Sequence, residues 1–192
     1  MTAWKLEPSL FVIHGATGDL AKRKLVPALA RLRRHAEPGT RTVVLGVGRR
    51  SDLDDVSFRR WMKEVVAASG SREDGIGEWI DAHVHYHCMP ETNGASCDDL
   101  AARLSGLEAE HGLPGNRVFY LSLPPSRFIP TIEALGNAGL SEGPGWARLV
   151  VEKPFGHDLA SAQELNRTIH RRWNESQVYR IDHYLGKESV QN

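Results

Sequence analysis

The stretch FVIHGATGDLAKRKL, residues 11–25, changes character twice. Phe11–His14 close an apolar run, and Gly15 and Gly18 bracket a tight turn. From Asp19 the pattern becomes helical, with Leu20, Leu25, Leu29 and Leu32 at helical spacing and the basic residues elsewhere. Glycine at such a turn lets the backbone take conformations closed to other residues and come close to a ligand. The helix start adds free N–H groups and the positive end of a dipole, which together suit a pyrophosphate. Two glycines in a turn are weak evidence alone, and a plain structural turn competes. The strand before and the helix and second strand after favour a dinucleotide-binding βαβ unit. Pro27, inside the helical pattern, is expected to kink or restart the helix.

Outward from this turn, segment types alternate. RTVVLGVG, RVFYLSLPP, WARLVVEKPFG and QVYRI read as strands. VSFRRWMKEVVAAS, CDDLAARLSGLEAEHG, RFIPTIEALGNAG and DLASAQELNRTIHRRW read as helices, the last with Asp158 as its cap. DAHVHYHC alternates and is expected to be a strand. Continuous apolar strands separated by helices imply an α/β fold, a doubly wound, mainly parallel sheet of Rossmann type, over residues 1–192 as one domain. Ligand sites of such sheets lie at the carboxyl ends of the strands.

Composition narrows the function. Lys plus Arg and Asp plus Glu number 24 each, so the formal net charge is zero, which argues against a nucleic-acid binder. Residues 1–50 nevertheless hold ten Lys and Arg against three Asp and Glu, a basic end fit for phosphate. Two cysteines, Cys88 and Cys97, make no disulfide framework. No apolar run has transmembrane length and no signal-peptide pattern opens the chain, so a cytoplasmic protein without membrane contact is expected.

The end of the second strand chooses the coenzyme. An NAD site carries an acid there for the ribose 2′-hydroxyl, whereas this chain has Arg49 and Arg50. A guanidinium pairs with a 2′-phosphate, so NADP is favoured over a solvated surface pair; Asp52 nearby keeps NAD in range. Lys153, in VVEKPFG, points from a carboxyl strand end toward the crevice, with Pro154 a candidate for a cis bond and Glu152 read as a structural acid. RIDHYLGKE, residues 180–188, gathers Asp182, His183, Tyr184 and Lys187, and the last three could surround a phosphate ester.

HGATGDLAKRKLVPAL, GVGRR, SLPPS, VEKPFG and RIDHYLGKE occur in the order and rough spacing of glucose-6-phosphate dehydrogenase, and the chain resembles that family's N-terminal coenzyme domain. The resemblance implies that Gly15, Ala16, Thr17, Gly18, Asp19 and Leu20 form the coenzyme turn and that Arg49 grips the 2′-phosphate. It implies that Lys153 touches both coenzyme and sugar, and that His183, Tyr184 and Lys187 hold the 6-phosphate of glucose 6-phosphate. Asp182 would orient a general-base histidine. In the family reaction of the pentose phosphate pathway, a C1 proton passes to that base and a hydride from C1 to nicotinamide C4, giving the lactone. The family continues into a large β+α domain that carries the base and the homo-oligomer interface, so this chain alone is expected to show little or no turnover. A stand-alone NADP-binding module or sensor is the alternative. His14 departs from the family, which has an aromatic or aliphatic residue before the turn.

HVHYHC is expected to place His83, His85 and His87 on one strand face, with Cys88 beside them. With no second cluster in view, an exposed strand edge is favoured and no metal is expected.

Overall fold

The computed structural model describes residues 5–37, 39–70, 74–92 and 94–182; His183, Tyr184 and Lys187 lie outside this range. Among the described residues, six strands form one sheet: β1 (Ser9–His14), β2 (Thr42–Gly48), β3 (Val84–Cys88), β4 (Arg117–Leu121), β5 (Ala147–Glu152) and β6 (Val178–Ile181). Their order is β3-β2-β1-β4-β5-β6, and every neighbouring pair is parallel. The helices are α1 (Val26–His35), α2 (Asp55–Ala68), α3 (Ile76–His83), α4 (Gly94–His111), α5 (Phe128–Asn137) and α6 (Leu159–His170).

The strands are apolar almost throughout because both faces of the sheet are covered. Leu10 and Val12 join Leu100, Phe119, Ile132 and Trp173 in one core with α4, α5 and α6. Ile13 and Val44 join Leu29, Phe58, Met62 and Ile80 in a second core with α1, α2 and α3. From β1 the chain winds outward to β2 and β3, then returns to β4 on the other side. The resulting reversal between β1 and β4 opens a crevice at their carboxyl ends. The doubly wound architecture expected from the sequence is therefore the observed one.

Pro27 acts as the sequence predicts, with a specific device. Residues Ala21–Leu25 form a π-helical turn in which the Val26 N–H reaches back to the Ala21 carbonyl, and α1 restarts with Pro27 in its first turn. Proline has no N–H to donate, and its fixed φ suits the first turn of a helix. Asp158 caps α6 as expected, accepting from the Ser161 N–H at 2.8 Å.

One segment differs from expectation. Asp81, Ala82 and His83 belong to α3, and the strand starts only at Val84. Gly75, at φ 75°, starts this short helix, which buries Trp79 and Ile80. The glycines of DGIGEW disguise it as a loop. His83 consequently leaves the strand face assigned to it, and only His85 and His87 share one.

Strand β3 is the edge of the sheet, but it is not bare. The Tyr86 N–H donates outward to Asp55 Oδ1 at 2.7 Å, and Arg59 Nε donates to the Val84 carbonyl at 2.6 Å. Both side chains come from α2, so the helix supplies the partners that a further strand would otherwise provide. His85 is 3% exposed, against the expectation of an exposed edge. Elsewhere, a buried two-pronged pair ties α4 to the start of β4: Arg117 Nε and Nη2 lie 2.6 and 2.8 Å from the Glu108 carboxylate oxygens.

Candidate functional site

The crevice between β1 and β4 widens into a cleft of about 670 Å³, a size usual for a small-molecule site. Gly15, Thr17 and Gly18 form one wall, Arg49 and Arg50 one end, and Ser122–Pro124 the opposite wall. The glycine turn is shaped by its contacts. Gly15 has φ 80°, and a Cβ there would stand 2.1 Å from the Ser122 carbonyl oxygen. Its N–H and that of Ala16 both bond the Val47 carbonyl, at 2.9 and 3.1 Å, which fastens the turn to β2. A Cβ at Gly18 would come within 3.1 Å of the Gly15 carbonyl oxygen. Both glycines thus keep the main chain open toward the cleft.

The other predicted turn residues divide by role. Ala16 is 1% exposed and packs into the α1–α3 core, so its contribution is the path of the backbone. Asp19 is exposed and pairs with Arg23 at 2.8 Å along the helix; neither it nor Leu20 lines the cleft.

The two arginines are unequal. Arg50 makes a forked pair with Asp52, Nε to Oδ1 at 3.1 Å and Nη2 to Oδ2 at 2.5 Å. The hydrogen bond from Arg50 holds Asp52 below the usual carboxylate range, so the pair stays charged and self-neutralising. The Arg50 N–H also bonds the Tyr86 hydroxyl at 3.2 Å, anchoring the loop. Arg49 is exposed, lines the cleft and has no ion-pair partner among the described residues.

Three further polar groups on the cleft are buried without a hydrogen-bond partner: His14 Nε2, Ser122 Oγ and Thr131 Oγ1. Burial, and then the charge of His87, lower the His14 pKa from 6.5 to about 4, so the ring is neutral near pH 7. Unpaired buried polar groups are rare, and three on one concave surface are suited to a polar ligand. His14 was visible in the sequence only as a departure from the family pattern. Ser122 was visible only within SLPPS, and nothing in the spacing marked Thr131, Thr92 or Arg127. Arg127 Nη2 lies 3.4 Å from Thr92 Oγ1 across the cleft mouth.

Lys153 does not line this cleft. It stands after β5, where Lys153–Pro154 is cis, and its Nζ lies 3.1 Å from Asp182 Oδ2, beyond the end of β6. Two residues predicted separately are thus brought together at the next pair of strand ends. Glu152 behaves as a structural acid: it is buried and accepts from the Tyr120 hydroxyl. Burial first, and then Glu152, push the Tyr120 pKa up. The predicted phosphate ligands His183, Tyr184 and Lys187 lie outside the described residues. No helix of the described residues is long and apolar enough to cross a membrane.

Comparison with known proteins agrees with this geometry. A family model described as glucose-6-phosphate dehydrogenase, NAD binding domain, matches residues 12–192. A glucose-6-phosphate 1-dehydrogenase of Bacillus subtilis is 44% identical over 184 residues, which cover 96% of this chain and 37% of that protein. One from Aggregatibacter actinomycetemcomitans is 43% identical over 189 residues, covering 98% of this chain and 38% of the relative. A solved glucose-6-phosphate dehydrogenase in complex with its substrate glucose-6-phosphate superposes with a TM-score of 0.84 at 36% identity, over all of this chain and 40% of that one. The glucose-6-phosphate 1-dehydrogenase structure from Mycobacterium avium gives 0.80 at 33% identity. The chain therefore spans about 37–38% of the length of these curated relatives.

Proposed function

The chain belongs to the glucose-6-phosphate dehydrogenase family, and on that premise we propose that residues 1–192 form one NADP-binding domain serving oxidation of glucose 6-phosphate to its lactone. The observation that carries this is the cleft itself, where Gly15, Thr17 and Gly18 face Arg49 across the carboxyl ends of β1 and β2. Its residues fit a dinucleotide. A Cβ at Gly15 or Gly18 would crowd the turn, and the cleft lining includes three side chains whose buried polar atoms lack a partner, His14, Ser122 and Thr131.

Bound NADP would supply the hydride acceptor. The protein's part is positioning, which can account for several orders of magnitude in rate. Arg49 holds the 2′-phosphate and the glycine turn receives the pyrophosphate. Lys153, tethered to Asp182, places a positive charge near the sugar, and His183, Tyr184 and Lys187 hold its 6-phosphate. Asp182 orients a general-base histidine that this chain does not supply. These 192 residues alone are therefore expected to bind coenzyme and to turn over little or none of it.

Calorimetric titration with NADP and NAD, alongside a turnover assay with glucose 6-phosphate, tests both statements. NADP should bind at least about tenfold tighter than NAD, as expected for one charge-assisted contact. Equal affinities would sink the coenzyme assignment, and robust turnover would show that a base within this chain has been missed.

A further inference from the structure

We propose that His85, His111 and Glu110 form a three-ligand site for a divalent transition-metal ion of the zinc class, separate from the dinucleotide cleft. The three residues come from two elements, β3 and the end of α4, and each offers one ligand atom within 4.8 Å of the other two. His85 Nε2 and His111 Nε2 are 3.1 Å apart, and Glu110 Oε1 is 3.9 Å from His111 Nε2. Two ligands bound at 2.0–2.1 Å to a tetrahedral ion stand about 3.3–3.4 Å apart. The two imidazole nitrogens already stand close to that separation, and Glu110, exposed near the end of α4, would have to move inward by more. None of the three lines the dinucleotide cleft.

What lies behind the ligands points the same way. His85 Nδ1 is 3.0 Å from Asp55 Oδ2. Where Nδ1–H donates to Asp55 Oδ2, Nε2 is the ring nitrogen left to bind a metal. A carboxylate fixing the tautomer of a histidine is the usual support for a metal-bound imidazole. Asp55 is itself held by the Tyr86 N–H at 2.7 Å and Arg103 Nη2 at 2.8 Å, so the ring is oriented in advance.

The surrounding charges allow a cation. The guanidinium groups of Arg59 and Arg103 stand 3.3 and 3.5 Å from His85 Nδ1, on the side of the ring away from Nε2. Arg59 Nε is committed to the Val84 carbonyl and Arg103 to Asp55, while Glu110 adds a negative charge on the ligand side. His83 stands beside the set, with its ring centre 5.7 Å from that of His111, but is not part of it. This leaves a fourth position for water. Two imidazoles and one carboxylate suit Zn²⁺, Co²⁺ or Ni²⁺ rather than Mg²⁺ or Ca²⁺.

The test uses the untagged chain, freed of metal by chelator, and titrates it with Zn²⁺ by calorimetry and Co²⁺ by visible absorption. One equivalent of Zn²⁺ should bind, and Co²⁺ should show tetrahedral ligand-field bands. His111→Ala and Glu110→Gln, both at the end of α4, should weaken binding at least about tenfold, and Asp55→Asn by roughly 10–100-fold. His87→Ala, on the same strand face but outside the set, should leave binding unchanged. Absence of saturable one-to-one binding would mean that the histidines share only a hydrogen bond and would overturn the proposal. So would Zn²⁺ affinity that survives both His111→Ala and Glu110→Gln.

Discussion

Replacing Arg49 by alanine offers the sharpest check on how the coenzyme is selected. Arg49 lines the cleft without an ion-pair partner among the described residues, whereas Arg50 is forked onto Asp52. A hydrogen bond to a charged group contributes about 1.5–3 kcal/mol, and about 1.4 kcal/mol is a factor of ten in Kd, so Arg49→Ala should weaken NADP by roughly 10–150-fold. NAD, which lacks the 2′-phosphate, should bind as before. Arg50→Ala removes a charge already neutralised by its neighbour and should cost NADP no more than a few-fold. Asp52→Asn releases Arg50 and removes a negative charge from the phosphate's surroundings, so it should tighten NADP. Calorimetry at fixed ionic strength reads all three variants, because exposed charges are screened by salt. If Arg50→Ala costs more than Arg49→Ala, or if Arg49→Ala weakens NAD as much as NADP, the inequality drawn between the arginines is wrong.

Further outcomes follow from the same geometry. Gly15→Ala combines a left-handed backbone, costing about 1–2 kcal/mol, with a Cβ placed 2.1 Å from the Ser122 carbonyl oxygen; denaturant unfolding should show a loss beyond that range. Gly18→Ala has no left-handed requirement and only a 3.1 Å approach, so it should unfold nearly as wild type yet bind NADP more weakly in the same titration. His14 binds its proton less readily folded than unfolded, with pKa about 4 against 6.5. Its contribution is therefore complete above pH 6.5 and lost as pH falls toward 4, about 3 kcal/mol in all. His14→Phe should flatten that part of the stability–pH curve while weakening NADP. Glu108→Ala strands a buried guanidinium and should cost about 3–5 kcal/mol by chemical denaturation, while replacing both Glu108 and Arg117 with methionine should cost much less.

The sheet was legible because its strands are apolar runs punctuated by Gly15, Pro124 and Gly156, and the restart at Pro27 because proline acts locally. The helix Ile76–His83 was not legible. Its glycines carry loop composition, and only the packing of Trp79 and Ile80 against the sheet makes it a helix. The same pattern holds at the site. Gly15, Gly18 and Arg49 are marked by local rules for turns and phosphates. Ser122, Thr131 and the pairing of Lys153 with Asp182 depend on which strand ends become neighbours, which no spacing states. Asp55 shows the limit most clearly. The residue looks like ordinary helix-start acid, yet it serves a main-chain N–H, a histidine and an arginine from other segments.

The side chains that α2 lays along β3 also bear on how copies of the protein meet. Joining two sheets through this edge would require Asp55 to release the Tyr86 N–H and Arg59 to release the Val84 carbonyl, leaving both charges facing the incoming strand. Crowded molecules therefore lack a template here for continuous cross-molecule sheets. Neutralising Asp55 and Arg59 together should remove that protection, and fibrillar aggregation would then be expected to begin along β3.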